Sequence, residues 1–213
     1  MKKFFLLITV SIFIIQYCSA QSSKSSDTRG DLQIGFKAGV NLSNVYDAQG
    51  DQFVAKSKLG FAAGAFVSIP FGKLLGFQPE ILFSQKGFKG TGMLLGNPYE
   101  FTRTTSYIDV PLLFAIKPTT FLTIIAGPQY SYLTKQKDDF TSSLNSASQE
   151  QDFANDNIRK NILSFIGGVD LNSNPFVFSL RAAWDLQNNN GNGTNTIPRY
   201  KNVWYQATIG IKI

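Results

Sequence analysis

From residue 32 onward the chain alternates apolar and polar side chains with a period of two. In residues 32–43 the even positions are Leu32, Ile34, Phe36, Ala38, Val40 and Leu42, and the odd ones are Gln33, Gly35, Lys37, Gly39, Asn41 and Ser43. A helix would scatter these residues around its circumference, whereas a strand puts them on opposite faces. The alternation returns in seven further segments. One face carries Leu59, Phe61, Ala63, Ala65, Val67 and Ile69 in residues 59–69, and Phe77, Pro79, Ile81 and Phe83 in residues 76–86. It carries Ile108, Val110, Leu112, Phe114 and Ile116 in residues 107–117, and Leu122, Ile124, Ala126, Tyr130 and Tyr132 in residues 121–133. It continues with Leu163, Phe165, Val169 and Leu171 in residues 162–171, Phe176 to Leu186 at every second position in residues 176–186, and Val203 to Ile213 likewise in residues 203–213. Eight strands are predicted.

The connections alternate as well. Residues 70–73, 118–120 and 172–175 are short and turn-like, with Pro, Gly, Asn and Ser. Residues 44–58, 87–106, 134–161 and 187–202 are long and polar and are expected to be loops. Tight turns at one end, long loops at the other and an even strand count describe an all-β, eight-stranded antiparallel up-and-down transmembrane β-barrel. The opposing faces hold Gly, Ser, Thr, Gln and charges of both signs. A soluble, lipocalin-like ligand-binding barrel would turn the apolar faces inward. An eight-stranded lumen is too narrow to hold them, and Gly35, Gly39, Gly60, Gly64, Gly127, Gly168 and Gly210 lie on the other face, where long neighbours need room. The apolar face is therefore assigned to lipid. The Gly35/Gly39 and Gly60/Gly64 spacings resemble a transmembrane-helix pairing motif, but Lys37 and the period of two contradict a helix. Phe71, Phe77, Phe121 and Phe176 near the short turns, and Tyr130, Tyr132, Trp184 and Tyr205 near the loops, suit interfacial girdles; ordinary cross-strand packing accounts for the Phe residues equally well.

The remaining segments define the domain plan. Lys2 and Lys3, the apolar run of residues 4–15 and the small residues Ser19 and Ala20 read as a signal peptide, residues 1–20. The apolar run is too short for a membrane-spanning helix, which needs about 20 residues. A lipid anchor on Cys18 is the competing reading, disfavoured by the bulky Tyr17 before it. Residues 21–31 form a polar lead-in expected to be flexible, and residues 32–213 form the outer-membrane β-barrel.

Of 213 residues, 20 are Lys or Arg, 14 are Asp or Glu, one is Cys and none is His. The absence of His excludes Ser-His-Asp hydrolysis and His-ligated metals. The formal charge of +6 falls to +4 without Lys2 and Lys3, too small and dispersed for a nucleic-acid partner. Lys37, Glu80, Asp109, Asp170, Arg181 and Lys212 are candidates for ion pairs in the lumen, with Lys86, Lys117 and Asp185 on the same face. Glu80 and Arg181 are expected near mid-height on opposite walls, with Lys37 the rival partner for Glu80. Glu80 and Asp109 as a glycosidase-like acid–base pair is the functional alternative, and structural pairing is the simpler reading. Residues 134–161 contain acids but no spacing of a calcium loop. No catalytic, metal or cofactor residues are assigned.

The segments 34–43 (IGFKAGVNLS), 78–87 (QPEILFSQKG) and 107–113 (YIDVPLL), with Ala126-Gly127-Pro128 and Arg181 further on, resemble the outer-membrane β-barrel family often called porin-family or PorT-like. The resemblance spans about residues 32–213 and implies an eight-stranded barrel in the outer membrane of Gram-negative bacteria. It implies neither a pore nor catalytic residues. The chain departs from such barrels in ending Ile211-Lys212-Ile213 instead of on an aromatic residue. The expected function is a structural or surface-interaction barrel with a polar, side-chain-filled lumen, and not an enzyme. Its partners would be outer-membrane lipid and an extracellular or secretion-system protein met by four external loops. The alternative is a porin-like channel for small solutes.

Overall fold

The computed structural model describes residues 27–46, 55–94, 97–142, 146–151, 158–189 and 200–213. The expected signal peptide, Cys18 and parts of the long connections lie outside the described residues. Among the described residues nine strands follow a short 3-10 turn at Thr28–Gly30: β1 (Gln33–Tyr46), β2 (Ala55–Phe71), β3 (Leu75–Leu94), β4 (Asn97–Ile116), β5 (Leu122–Ser142), β6 (Ser146–Gln151), β7 (Asn161–Ser173), β8 (Phe176–Asp185) and β9 (Lys201–Lys212). All pairings are antiparallel, in the order β4-β3-β2-β1-β9-β8-β7-β5, and β4 pairs with β5 to close the ring. Eight strands thus form the barrel, and β6 is an extra strand hydrogen-bonded to the far end of β5.

Alternation decides which side chain meets which solvent. On β1, Ile34, Phe36, Val40 and Leu42 are exposed while Lys37, Asn41 and Ser43 are buried. The same parity holds on β8, where Phe176, Phe178, Leu180 and Trp184 point out and Ser179, Arg181 and Asp185 point in. The soluble reading is overturned, because the large apolar side chains cover the outside of the barrel. Phe71, Phe121 and Phe176 form an exposed aromatic rim near the short turns, and Tyr46, Tyr130, Tyr132, Trp184 and Tyr205 lie towards the other end. Phe77 is half-buried and packs on Phe114, with ring centroids 5.7 Å apart.

Three sequence expectations need correction. Residues 87–106 and 134–161 are largely strand and not loop: β3, β4 and β5 run for 20, 20 and 21 residues. That is about twice the 9–11 residues a tilted strand needs to cross the bilayer. Above the membrane the outer face meets water instead of lipid, so its apolar character disappears, while the inner face stays packed through Phe88, Phe101, Arg103 and Asp138. Secondly, the lumen is not wholly polar. Leu113, Ala115, Ile125, Ile166, Ala183 and Trp204 pack together inside it, and Phe66, Leu82 and Val177 are buried there too. Thirdly, the end of the lead-in is structured. Asp27 caps the turn, Arg29 forks onto its carboxylate at 2.8 Å through both Nε and Nη2, and Arg29 Nη1 donates to the carbonyls of Lys117 and Pro118, each at 3.2 Å. Arg29 thereby anchors the lead-in to the β4–β5 turn.

Candidate functional site

Every candidate residue sits at an inward position of its strand, and the register supplies the space. Lys37 is flanked by Gly64 on β2 and Gly210 on β9, and Arg181 by Gly168 on β7. At Gly168 a Cβ would run into the Leu180 carbonyl oxygen and stand 2.9 Å from Arg181 Cγ. The glycine therefore admits both the neighbouring backbone and the long Arg stem.

Four of the six candidates converge. In the ring β3 and β8 are four positions apart, on opposite walls. Arg181 crosses the lumen and donates Nη1 to Glu80 Oε2 at 2.7 Å and Nη2 to Glu80 Oε1 at 2.9 Å. Lys37 Nζ and Gln78 Nε2 each donate to the same Oε1 at 2.9 Å. Asp170 Oδ1 lies 3.5 Å from Arg181 Nη2, and its Oδ2 accepts from Gln78 Nε2 at 3.1 Å. Two cations and two anions thus cancel within one buried cluster. Asp109 belongs to a separate pair with Lys86 at 3.1 Å. That ammonium also lies 3.8 Å from the ring centre of Trp204 and 4.6 Å from that of Tyr107, which supply cation–π attraction. Lys212 is not in the cluster: it sits towards the short turns and donates to Asn172 Oδ1 at 2.5 Å.

A third layer closes the outer end. Arg103 holds Asp138 by a fork at 2.8 and 2.7 Å and donates Nη1 to the Tyr200 hydroxyl at 3.2 Å. The Tyr200 ring meets Phe88 edge-on at 5.3 Å, beside Val45. Burial pushes the Tyr200 phenol above its ordinary range, against the pull of Arg103. Sequence reasoning misses this layer because residues 87–106, 134–161 and 187–202 read as polar loops. It also misses the apolar packing, whose signal is the unbroken apolar run of residues 110–116: both faces of that strand avoid water. No group of three or more His, Cys, Asp or Glu suited to a metal occurs among the described residues.

An apolar exterior around a closed, side-chain-filled interior defines a small transmembrane β-barrel. Residues 19–190 match the outer membrane protein beta-barrel domain family, so the chain belongs to that family and is an outer-membrane protein. No curated protein sequence matches it. Among solved structures, it is similar to Ail, the attachment invasion locus protein of Yersinia pestis, crystallised with the heparin analogue sucrose octasulfate; identity is 12% and the TM-score 0.48, covering 85% of this chain and 99% of Ail. Neisserial surface protein A (NspA) is 9% identical with a TM-score of 0.46, covering 84% of this chain and 97% of NspA. OprG from Pseudomonas aeruginosa is 12% identical with a TM-score of 0.37, covering 85% of this chain and 95% of OprG.

Proposed function

We propose that this protein is a closed structural or surface-interaction barrel, working through its outward extension and not by passing solute or catalysing a reaction. The observation that carries this reading is the filling of the lumen in successive layers. Lys37, Glu80, Arg181 and Asp170 bridge the walls; Lys86, Asp109 and Trp204 fill the next level; Arg103, Asp138, Tyr200 and Phe88 occupy the outer end. Eight-stranded barrels have room for side chains, whereas aqueous porins use 16–18 strands. The strands that rise beyond the membrane offer a polar surface to an extracellular or secretion-system protein. In this proposal residues 1–20 are removed as a signal peptide and residues 32–213 make the barrel.

Planar-bilayer recording on the purified protein tests the reading. The expected trace has no steady unitary current, and reproducible large steps would refute the closed lumen in favour of the channel. Folded protein should also migrate differently on an SDS gel before and after boiling, as a compact barrel does.

A further inference from the structure

The turn end of the barrel holds a chemistry that the filled lumen does not use. A cavity of about 250 Å³ opens there, lined by Arg29, Lys117, Lys212, Gln78, Thr123 and Asn172 among others, and among the described residues no carboxylate lines it. In volume it lies just below the ~300–1,000 Å³ of clefts that hold drug-sized ligands, so it suits a small solute or a headgroup. Its cations are not equivalent. Arg29 is matched by Asp27, which also receives Lys73 at 3.3 Å. Lys117 is 5% exposed, yet its Nζ contacts only neutral acceptors, Ser68 Oγ at 3.1 Å and the Arg29 carbonyl at 3.2 Å. Lys212 Nζ contacts Asn172 Oδ1. Among the described residues neither ammonium has a carboxylate within ion-pair distance; Asp31 and Asp170 act on them only from further away. Buried charges are ordinarily paired, because removing an ion from water is costly.

The donor count points the same way. An ammonium carries three N–H groups. Lys117 spends two of them and Lys212 one, which leaves three donors and two unmatched positive charges. Asn172 is itself held in place, donating Nδ2 to Thr123 Oγ1 at 3.0 Å. We infer that this cavity is a binding site for a phosphate-bearing dianion, gripped by Lys117 and Lys212. Short turns face the periplasm in outer-membrane barrels, so the site opens to that compartment. The phosphate has two possible sources, a periplasmic phosphomonoester or an inner-leaflet phospholipid headgroup.

Two arms separate the sources, both using the folded, full-length barrel. In detergent, calorimetric titration with glycerol phosphate reads the solute. In phosphatidylcholine nanodiscs with and without phosphatidic acid, native mass spectrometry reads retained lipid. Saturable binding in one arm identifies the source. Lys212→Gln should weaken it about tenfold, as loss of a hydrogen bond to a charged group does. Lys117→Gln/Lys212→Gln should abolish it, Lys212→Arg should retain it, and Lys73→Gln, outside the cavity, should leave it within about twofold of the parent. If Lys117→Gln unseats the Arg29 turn, Lys212→Gln alone carries the test, because among the described residues the one side-chain hydrogen bond of Lys212 goes to Asn172. No saturable binding in either arm, or binding unchanged by Lys212→Gln in a barrel that still shows the heat-dependent gel shift, overturns the inference.

Discussion

Replacing Glu80 by Gln is the most informative perturbation of the lumen. Its carboxylate accepts four hydrogen bonds, from Lys37, Gln78 and both terminal nitrogens of Arg181, at 2.7–2.9 Å. Glu80→Gln leaves Lys37 and Arg181 facing Asp170 alone, one buried positive charge in excess. Breaking a buried pair from one side costs about 3–5 kcal/mol. Arg181→Met reverses the imbalance and should cost a similar amount, though Glu80 keeps Lys37. The double variant is neutral again, with Lys37 against Asp170. Its loss should therefore fall short of the sum of the single losses by about 1–3 kcal/mol, the coupling expected of residues in one network. Lys37→Met removes one bond of the four and should be the mildest single change. Reversible urea unfolding from detergent micelles measures all of these. Trp204 and Trp184 report it, because one is buried in the lumen and the other is 40% exposed on the lipid face. Additivity of the Glu80 and Arg181 losses within about 0.5 kcal/mol would show that the two side chains do not depend on each other.

Two further outcomes follow from the geometry. Gly168→Ala should cost about 1–3 kcal/mol by overpacking, because its Cβ would meet the Leu180 carbonyl and the Arg181 stem, and a stability equal to the parent's would refute that account. At the turn end, the Arg29 side chain and backbone hold the Asp27 carboxyl below the usual carboxylate range. A depressed carboxyl contributes above its unfolded pKa and stops contributing as pH falls through its folded one, so the turn should persist through the ordinary aspartate range near pH ~4. The Arg29 amide, which donates to Asp27 Oδ1, should titrate by NMR with a midpoint below ~4; a midpoint at or above it would refute the pairing. Asp27→Asn should expose the bond after Arg29 to trypsin at neutral pH.

The sequence was legible where one rule governed each residue. Within the membrane, lipid on one face and a crowded lumen on the other impose strict parity, so Lys37, Glu80 and Arg181 could be placed inside from spacing alone. Legibility ended where the solvent changed. Above the bilayer, strands such as β3 and β4 lose their apolar face and read as polar loops, although Phe88 and Arg103 still pair across the ladder. Parity also fails at a bulge. Tyr107 pairs with Leu133 and Ser106 with Lys135, so Thr134 is an extra residue and the inward set on β5 switches from Leu133 to Gln136. Which charges meet across the axis depends on strand shear, which side-chain spacing does not encode. Asp109 therefore belongs with Lys86, while Lys212 sits with the turn-end polar groups. Arg29 illustrates a different limit: a polar lead-in carries no periodicity, and its anchoring depends on two carbonyls nearly ninety residues away.

The lumen's mixed chemistry has a consequence for register. Buried charges come from β1, β3, β4, β7 and β8, while Leu113, Ile125, Ile166 and Ala183 pack between them on β4, β5, β7 and β8, with Lys86 against Trp204 joining the polar and apolar layers. A buried ion cluster is weak evidence for added stability, since hydrophobic side chains could fill the same space. It does penalise misalignment. Slipping β1 by one residue would move Lys37 to the lipid face, where a Lys at mid-bilayer costs about 2–4 kcal/mol, and would strand Glu80 without one of its partners. A two-residue slip would keep Lys37 inside but bring it opposite Ala62 or Phe66 in place of Gly64, removing the space its long stem uses. The glycines beside the long cations and the pairs those cations make therefore act together: one permits a single alignment of the strands, and the other makes its neighbours costly.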